Sequence, residues 1–193
     1  MKTALKYLCI FLVALVLGIG SALYWLARSP LDSNWVRKGP WKTNVLAGSE
    51  QSGMYDRARV AIAGLLALKK SESLYYVADT NDSGEPLRAL CEYKIEGKGF
   101  DTRWWSVTAY GSTYFLIPNE QKRYSFNGND VTRDRDGLFR IHLSSTHKEK
   151  NWIPTGQKDQ KLHVTLRLYN PSPCIIGDPS SADLPHIIRE VCR

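Results

Sequence analysis

Arg103–Tyr124, RWWSVTAYGSTYFLIPNEQKRY, decides the fold. Two apolar runs are separated by a tight turn at Gly111-Ser112 and closed by Pro118-Asn119. Two Trp, three Tyr and one Phe fall within its 22 residues, which is core-forming material. Along Arg103–Tyr110 the side chains alternate, with Arg103, Trp105, Val107 and Ala109 on one face and Trp104, Ser106, Thr108 and Tyr110 on the other. Both faces carry bulk, the pattern of a strand covered on both sides. Gly111-Ser112 then turns the chain into a second expected strand, Thr113–Ile117, which Pro118 stops.

The flanks repeat this short-strand pattern. Ser73–Thr80 and Leu90–Glu96 read as strands, separated by the turn Asn81-Asp-Ser-Gly84 and followed by Gly97-Lys-Gly99. Downstream, Arg123–Phe126 adds a short strand before the turn signal Asn127-Gly-Asn-Asp130. Leu138–Ser144 alternates with Phe139, Ile141 and Leu143 inward and Arg140 and His142 outward. Leu162–Tyr169 places Leu162, Val164, Leu166 and Leu168 inward and His163, Thr165, Arg167 and Tyr169 outward. About seven short strands joined by Gly, Asn and Asp turns predict a mainly β domain, an antiparallel β-sandwich or jelly roll. Met54–Leu68 is expected to precede it as one helix, with Met54, Ala58, Ile62 and Leu65 on a single face and Asp56, Arg57 and Arg59 opposite. After Tyr169 four prolines (171, 173, 179, 185) predict a tail that wraps the surface without regular structure.

The N-terminal end is of a different kind. Tyr7–Ala27 runs 21 residues without a charge, enough for a helix to span a bilayer core of roughly 30 Å. Lys2 and Lys6 precede it, so the positive-inside rule keeps that end cytoplasmic and puts the body on the outer side of the inner membrane, in the periplasm of a Gram-negative cell. Tyr24 and Trp25 fall where an interfacial aromatic belt belongs. The rival reading is a cleaved signal peptide, although the apolar run is long for one and no clean Ala-x-Ala site follows. The expected organisation is an anchor at 1–28, a polar tether at 29–52 broken by glycines and prolines, and a β domain at 53–193. Trp35 and Trp41 in the tether suggest that part of it docks on the body.

Of the net charge of +7, residues 1–28 supply +3, leaving 23 Lys and Arg against 19 Asp and Glu in the rest. Those charges are interspersed, which argues against a nucleic-acid partner. Cys91, Cys174 and Cys192 lie in the outer body, where disulfides persist. Cys91 opens a strand and Cys192 is the penultimate residue, so the reading favours a Cys91–Cys192 bridge with Cys174 free. No Cys-x-x-Cys occurs and the four His are scattered, so neither a metal site nor any cofactor is expected.

Catalytic signals are absent: no serine motif stands beside a paired His and acid. His142 and His163 are both outward, and would meet if their strands paired. The candidate ligand site is polar and aromatic: Arg103, Trp105, Asn119, Arg123, Tyr124, Asn151 and Trp152. A planar guanidinium beside aromatic rings suits a carboxylate or a sugar. The same residues equally suit core packing and turn capping.

The ordered motifs Trp104-Trp-Ser-Val-Thr-Ala-Tyr110, Phe115-Leu-Ile-Pro-Asn119, Arg123-Tyr-Ser125, Asp136-Gly137, Asn151-Trp-Ile-Pro154 and Leu166-Arg-Leu-Tyr-Asn-Pro171 resemble the bacterial "domain of unknown function 1214" family, in its short membrane-anchored subgroup. The resemblance implies a β-sandwich in the Gram-negative envelope. In longer relatives this domain is fused to the "domain of unknown function 1254"; in the short subgroup that domain tends to be a separate protein, which implies a partner. No activity or catalytic residue comes with the family. The expectation is therefore a membrane-anchored binding or assembly subunit, with a small-ligand receptor, an envelope enzyme or a purely structural envelope protein as alternatives.

Overall fold

The computed structural model describes residues 2–28, 35–62 and 68–192, the side chains of 26–28, 56 and 59 excepted. Helix α1, Lys2–Arg28, is followed by strands β1 (Trp35–Lys38) and β2 (Trp41–Asn44), helix α2 (Met54–Ile62), and strands β3 (Ser73–Ala78), β4 (Cys91–Gly97), β5 (Thr102–Tyr110), β6 (Ser125–Asn127), β7 (Phe139–Ser144), β8 (Trp152–Pro154) and β9 (His163–Pro171). A short helix α3, Pro173–Gly177, and a 3₁₀ turn at Pro179–Ser181 lead to β10, His186–Cys192.

Ten strands form two sheets. The larger has the order β1-β2-β3-β9-β5-β6 and the smaller β10-β4-β7-β8. All pairings are antiparallel except β7 with β8. Inward residues alternate as the sequence predicts: Leu74 and Tyr76 on β3, Trp105 and Val107 on β5, and Val164, Leu166 and Leu168 on β9 are buried against Tyr93, Ile95, Phe139, Ile141 and Leu143 of the smaller sheet. Burying each such side chain stabilises the sandwich by about 1.5–3 kcal/mol. Trp105 meets Phe100 edge-to-face and Phe139 at a tilt, at 5.1 and 4.9 Å between ring centres. Gly128 crosses this cluster so closely that a Cβ there would stand 2.9 Å from Trp105 Nε1; the turn needs glycine for that approach rather than for its flexibility.

Several expectations change. Trp35–Asn44, read as tether, is a hairpin on the edge of the larger sheet. Gly39 at φ 57° followed by Pro40 makes the two-residue connection, a pairing suited to the type II′ turn that matches strand twist. Trp41 is fully buried and its Nε1–H donates to Pro185 O at 2.7 Å. Lys38 Nζ reaches Ala182 O and Tyr76 Oη donates to Pro179 O, both at 2.7 Å, so three side chains of the larger sheet lace the proline-rich segment down. That segment is not wholly irregular, because past Pro185 every backbone N–H is free to pair and β10 joins β4. Thr113–Ile117 is a loop rather than a strand: Gly111 N donates to Phe115 O and Tyr114 takes φ 62°, a conformation that breaks a ladder. The apolar face expected on α2 is not buried, since Met54 is 82% and Ile62 74% exposed. Its expected continuation through 63–67 lies outside the described residues.

Cys91 and Cys192 form a disulfide across the β4–β10 pair, closing 101 residues of sequence, and Cys174 is free and exposed. Helix α1 is exposed along its described side chains and is apolar and long enough to cross a membrane over Lys2–Trp25, a property shared by anchors and signal sequences.

Candidate functional site

The seven residues singled out from sequence do not converge. Trp105 lies in the core, and Arg103 is exposed beyond its end. Asn119 serves its own loop: Nδ2 donates to Ile117 O and Arg123 O, and Oδ1 accepts from Arg123 N, each at 3.0 Å. Arg123 pairs with Asp130 at 3.0 Å and lies over the Phe126 ring. The Tyr124 carbonyl accepts from Ala109 N at 3.2 Å, extending the β5–β6 pairing. On the other sheet, buried Asn151 bridges Thr132 N, Thr132 O and Arg140 O through its amide, and Trp152 Nε1 donates to Ser144 O. His142 and His163 do not meet either, because β7 and β9 belong to different sheets and each points away from the core.

The site-like arrangement is the outward face of the larger sheet. Pairing of β9 with β5 sets Arg167 opposite Ser106, Thr165 opposite Thr108, Tyr169 opposite Trp104 and His163 opposite Tyr110. Pairing with β3 sets Tyr75 on the other side of Arg167. The floor, Ser106, Thr108 and Thr165, is buried beneath larger neighbours. Only two sheets form among the described residues, so no strand layer supplies the second cover that the bulk on both faces of Arg103–Tyr110 predicts; Trp104, Tyr75, Tyr110, Tyr169 and Arg167 keep partial solvent access.

Arg167 is the centre of this face. One Nη donates to Thr108 Oγ1 at 3.1 Å and the other to Tyr110 Oη at 2.6 Å. Its guanidinium lies 5.8 Å from the centre of the Tyr75 ring and 5.6 Å from that of Tyr110. Among the described residues no carboxylate pairs with it. Burial pushes the Tyr75 hydroxyl up from its ordinary pKa, opposed in part by the Arg167 charge.

One end of the face is electrostatically closed. Asp79 accepts from His163 Nδ1 at 2.5 Å and pairs with Lys42. Burial works against its charge, but hydrogen bonds from His163 and Lys42 prevail and hold the Asp79 pKa at about 2. Tyr114 stacks on His163 at 4.2 Å, which holds its positive φ and carries Phe115 and Leu116 to an exposed tip, 76% and 42% accessible. The other end is the Trp104–Tyr169 pair, 5.2 Å between ring centres. Elsewhere, a cleft of about 380 Å³ lies between Gly48–Ser52 and α2, where Arg57 is spent on the carbonyls of Ser52 and Glu50.

The architecture is that of a two-sheet β domain carried behind an apolar helix, with an aromatic, guanidinium-centred sheet face. The chain belongs to the family described as "Protein of unknown function (DUF1214)", whose model matches residues 72–173, over half of its length. A crystal structure of a protein from Vibrio parahaemolyticus shares the fold, at TM-score 0.58 and 22% identity over 71% of this chain and 35% of that one. A structure of an uncharacterised Burkholderia cenocepacia protein matches more weakly, at TM-score 0.40 and 15% identity over 63% of this chain and 30% of that one. The chain therefore spans about a third of the length of these structures. No curated protein matches the sequence.

Proposed function

We propose that this protein is a membrane-tethered binding subunit, held on the periplasmic side of the inner membrane by α1, that docks a partner protein on the outward face of its larger sheet. The observation that carries this reading is the face itself: exposed apolar residues at the 114–116 tip, aromatic rings at its far end, and between them a cation that the described chain leaves without a carboxylate. Broad, flat patches of this kind suit a macromolecular surface better than the concave pockets of small-ligand sites. The longer solved relative adds support, because there the fold accounts for about a third of a larger chain. The resemblance to the short membrane-anchored subgroup implies that the rest of such a chain is met as a separate protein. A protein bearing the domain of unknown function 1254 is the candidate.

A second reading, a small-ligand receptor or envelope enzyme, draws on the His163–Asp79 pair beside Tyr114. One experiment separates the two. A photoreactive residue is placed in the full-length protein at Phe115 on the proposed face, or at Ile188 on the opposite sheet, and irradiated in intact cells. The docking reading expects a discrete protein adduct from Phe115 and none from Ile188. Equal labelling from both positions, or none from Phe115, would sink it.

A further inference from the structure

The face offers a more specific chemistry than an apolar patch. A guanidinium has five N–H donors in a planar fork. At Arg167 two are engaged, by Thr108 Oγ1 and Tyr110 Oη, and the remaining donors have no acceptor among the described residues. Both engaged partners are hydroxyls rather than carboxylates, so the positive charge is held in place without a paired acid. Tyr75 and Tyr110 flank the group and fix its plane. Of the other bases on this face, Lys42 and His163 are both committed to Asp79, and Arg37 stands opposite Lys42 on the edge strand, three strands away from Arg167. One fixed, uncancelled cation suits a single negative charge with planar, two-oxygen geometry, which is a carboxylate, better than a phosphate needing several donors and a second base.

We infer that Arg167 is the recognition centre of this face and receives an acidic side chain, Asp or Glu, from the docked partner. The inference rests on the docking reading and adds the chemistry of the contact. The partner surface it fits carries one acid within an apolar or aromatic surround, the surround packing on Trp104, Tyr169 and the Phe115 tip while the acid descends to the Ser106–Thr108–Thr165 floor. Rings around the pair exclude water, which strengthens it relative to a surface ion pair. Tyr110 and Thr108 act as positioning residues, since they hold the fork and leave its other donors unengaged.

The test uses the Phe115 photoadduct of the full-length protein in cells, with the crosslinked peptide mapped by mass spectrometry. Arg167→Glu should lower adduct yield at least about tenfold, and Arg167→Lys should give an intermediate yield, since an ammonium keeps the charge and loses the fork. Replacing the mapped partner acid by Arg should restore the adduct to Arg167→Glu. Unchanged thermal unfolding of each variant shows that the loss is not one of folding. An undiminished adduct with Arg167→Glu overturns the acidic contact and leaves docking standing. An adduct of this chain with a second copy of itself, through a peptide without an acid, overturns the inference as well. Absence of any adduct, together with saturable binding of benzoate to the purified protein that Arg167→Glu abolishes, replaces the partner's side chain by a small free acid and removes the docking reading with it.

Discussion

On the outward face of the smaller sheet, Arg140 is ringed by Glu96, Asp134 and Asp136, Lys94 pairs with Glu96, and Lys148 reaches Glu92 at 2.6 Å. On the outward face of the larger sheet, Arg167 meets only hydroxyls and rings. The acids around Arg140 hold it firmly protonated, Asp136 foremost, while its hydrogen bonds keep Asp136 and Glu96 below the ordinary carboxylate range. The first face satisfies its own charges and needs only water outside. The second holds a guanidinium that no carboxylate among the described residues meets. Two sheets of one sandwich thus share a core and differ at the surface, and the docking proposed above belongs to the side whose cation has no acid beside it.

The comparison can be broken at several points. The largest effect on stability is expected at the smaller sheet's edge, where β10 is held covalently. Cys192→Ser should lower stability by on the order of 2–4 kcal/mol, read from chemical unfolding of the full-length protein in micelles. The larger sheet, whose edge hairpin is held by Trp41 and Lys38, should be far less sensitive to reductant. Next, Arg167→Ala should change stability by less than about 1 kcal/mol, since it forfeits two hydrogen bonds and no ion pair, while adduct formation collapses. If it instead unfolds the domain, the guanidinium is a structural group and the contrast between the faces disappears.

Asp79→Asn tests the closed end of the same face. Its folded pKa of about 2 lies below the ordinary 3.8. The ionised carboxylate therefore contributes fully above about pH 4, and that contribution fades as pH falls towards 2. The variant should lose about 1 kcal/mol at pH 7, after allowance for solvent screening of a partly exposed group, and the gap should close in unfolding curves taken near pH 2. A gap that persists undiminished there would mean that the carboxylate does not act through its charge. The smallest effect is expected from Arg140→Ala, which leaves three acids facing one another. Thermal unfolding should begin slightly earlier, more so in low salt than in high, with the Phe115 adduct untouched.

Much of the sandwich is legible in the sequence, because period-two alternation at Phe139–Leu143 and Leu162–Leu168 follows directly from which side chains face the core. The disulfide is legible as well, from the placement of two cysteines in a body expected outside the cytoplasm. The edge hairpin is not: Gly39-Pro40 breaks a strand when read alone and makes a turn when the flanks can pair. Thr113–Ile117 misleads for the opposite reason, an apolar run that displays Tyr114, Phe115 and Leu116 and buries only Ile117. The candidate face lies further out of reach. Arg167 reads as one more outward residue on its strand, and its lack of an acid emerges only when the register sets it against Ser106 and Tyr75, some sixty and ninety residues away in sequence. A usable signal does exist: the outward sets Trp104, Ser106, Thr108, Tyr110 and His163, Thr165, Arg167, Tyr169 contain no acid between them.

The bridge between Cys91 and Cys192 has a mechanical consequence. If α1 is held in a membrane and the larger sheet's face is gripped, as proposed, the chain between them comes under tension, and that tension enters the sandwich at Trp35. The edge hairpin there is the weak seam, since its strands can peel from the sheet one hydrogen bond at a time. Beyond it the load meets a covalent short circuit across 101 residues, roughly 350 Å of chain if fully drawn out. Under such a pull the edge hairpin is expected to be shed first, while the part that carries Arg167 keeps its shape.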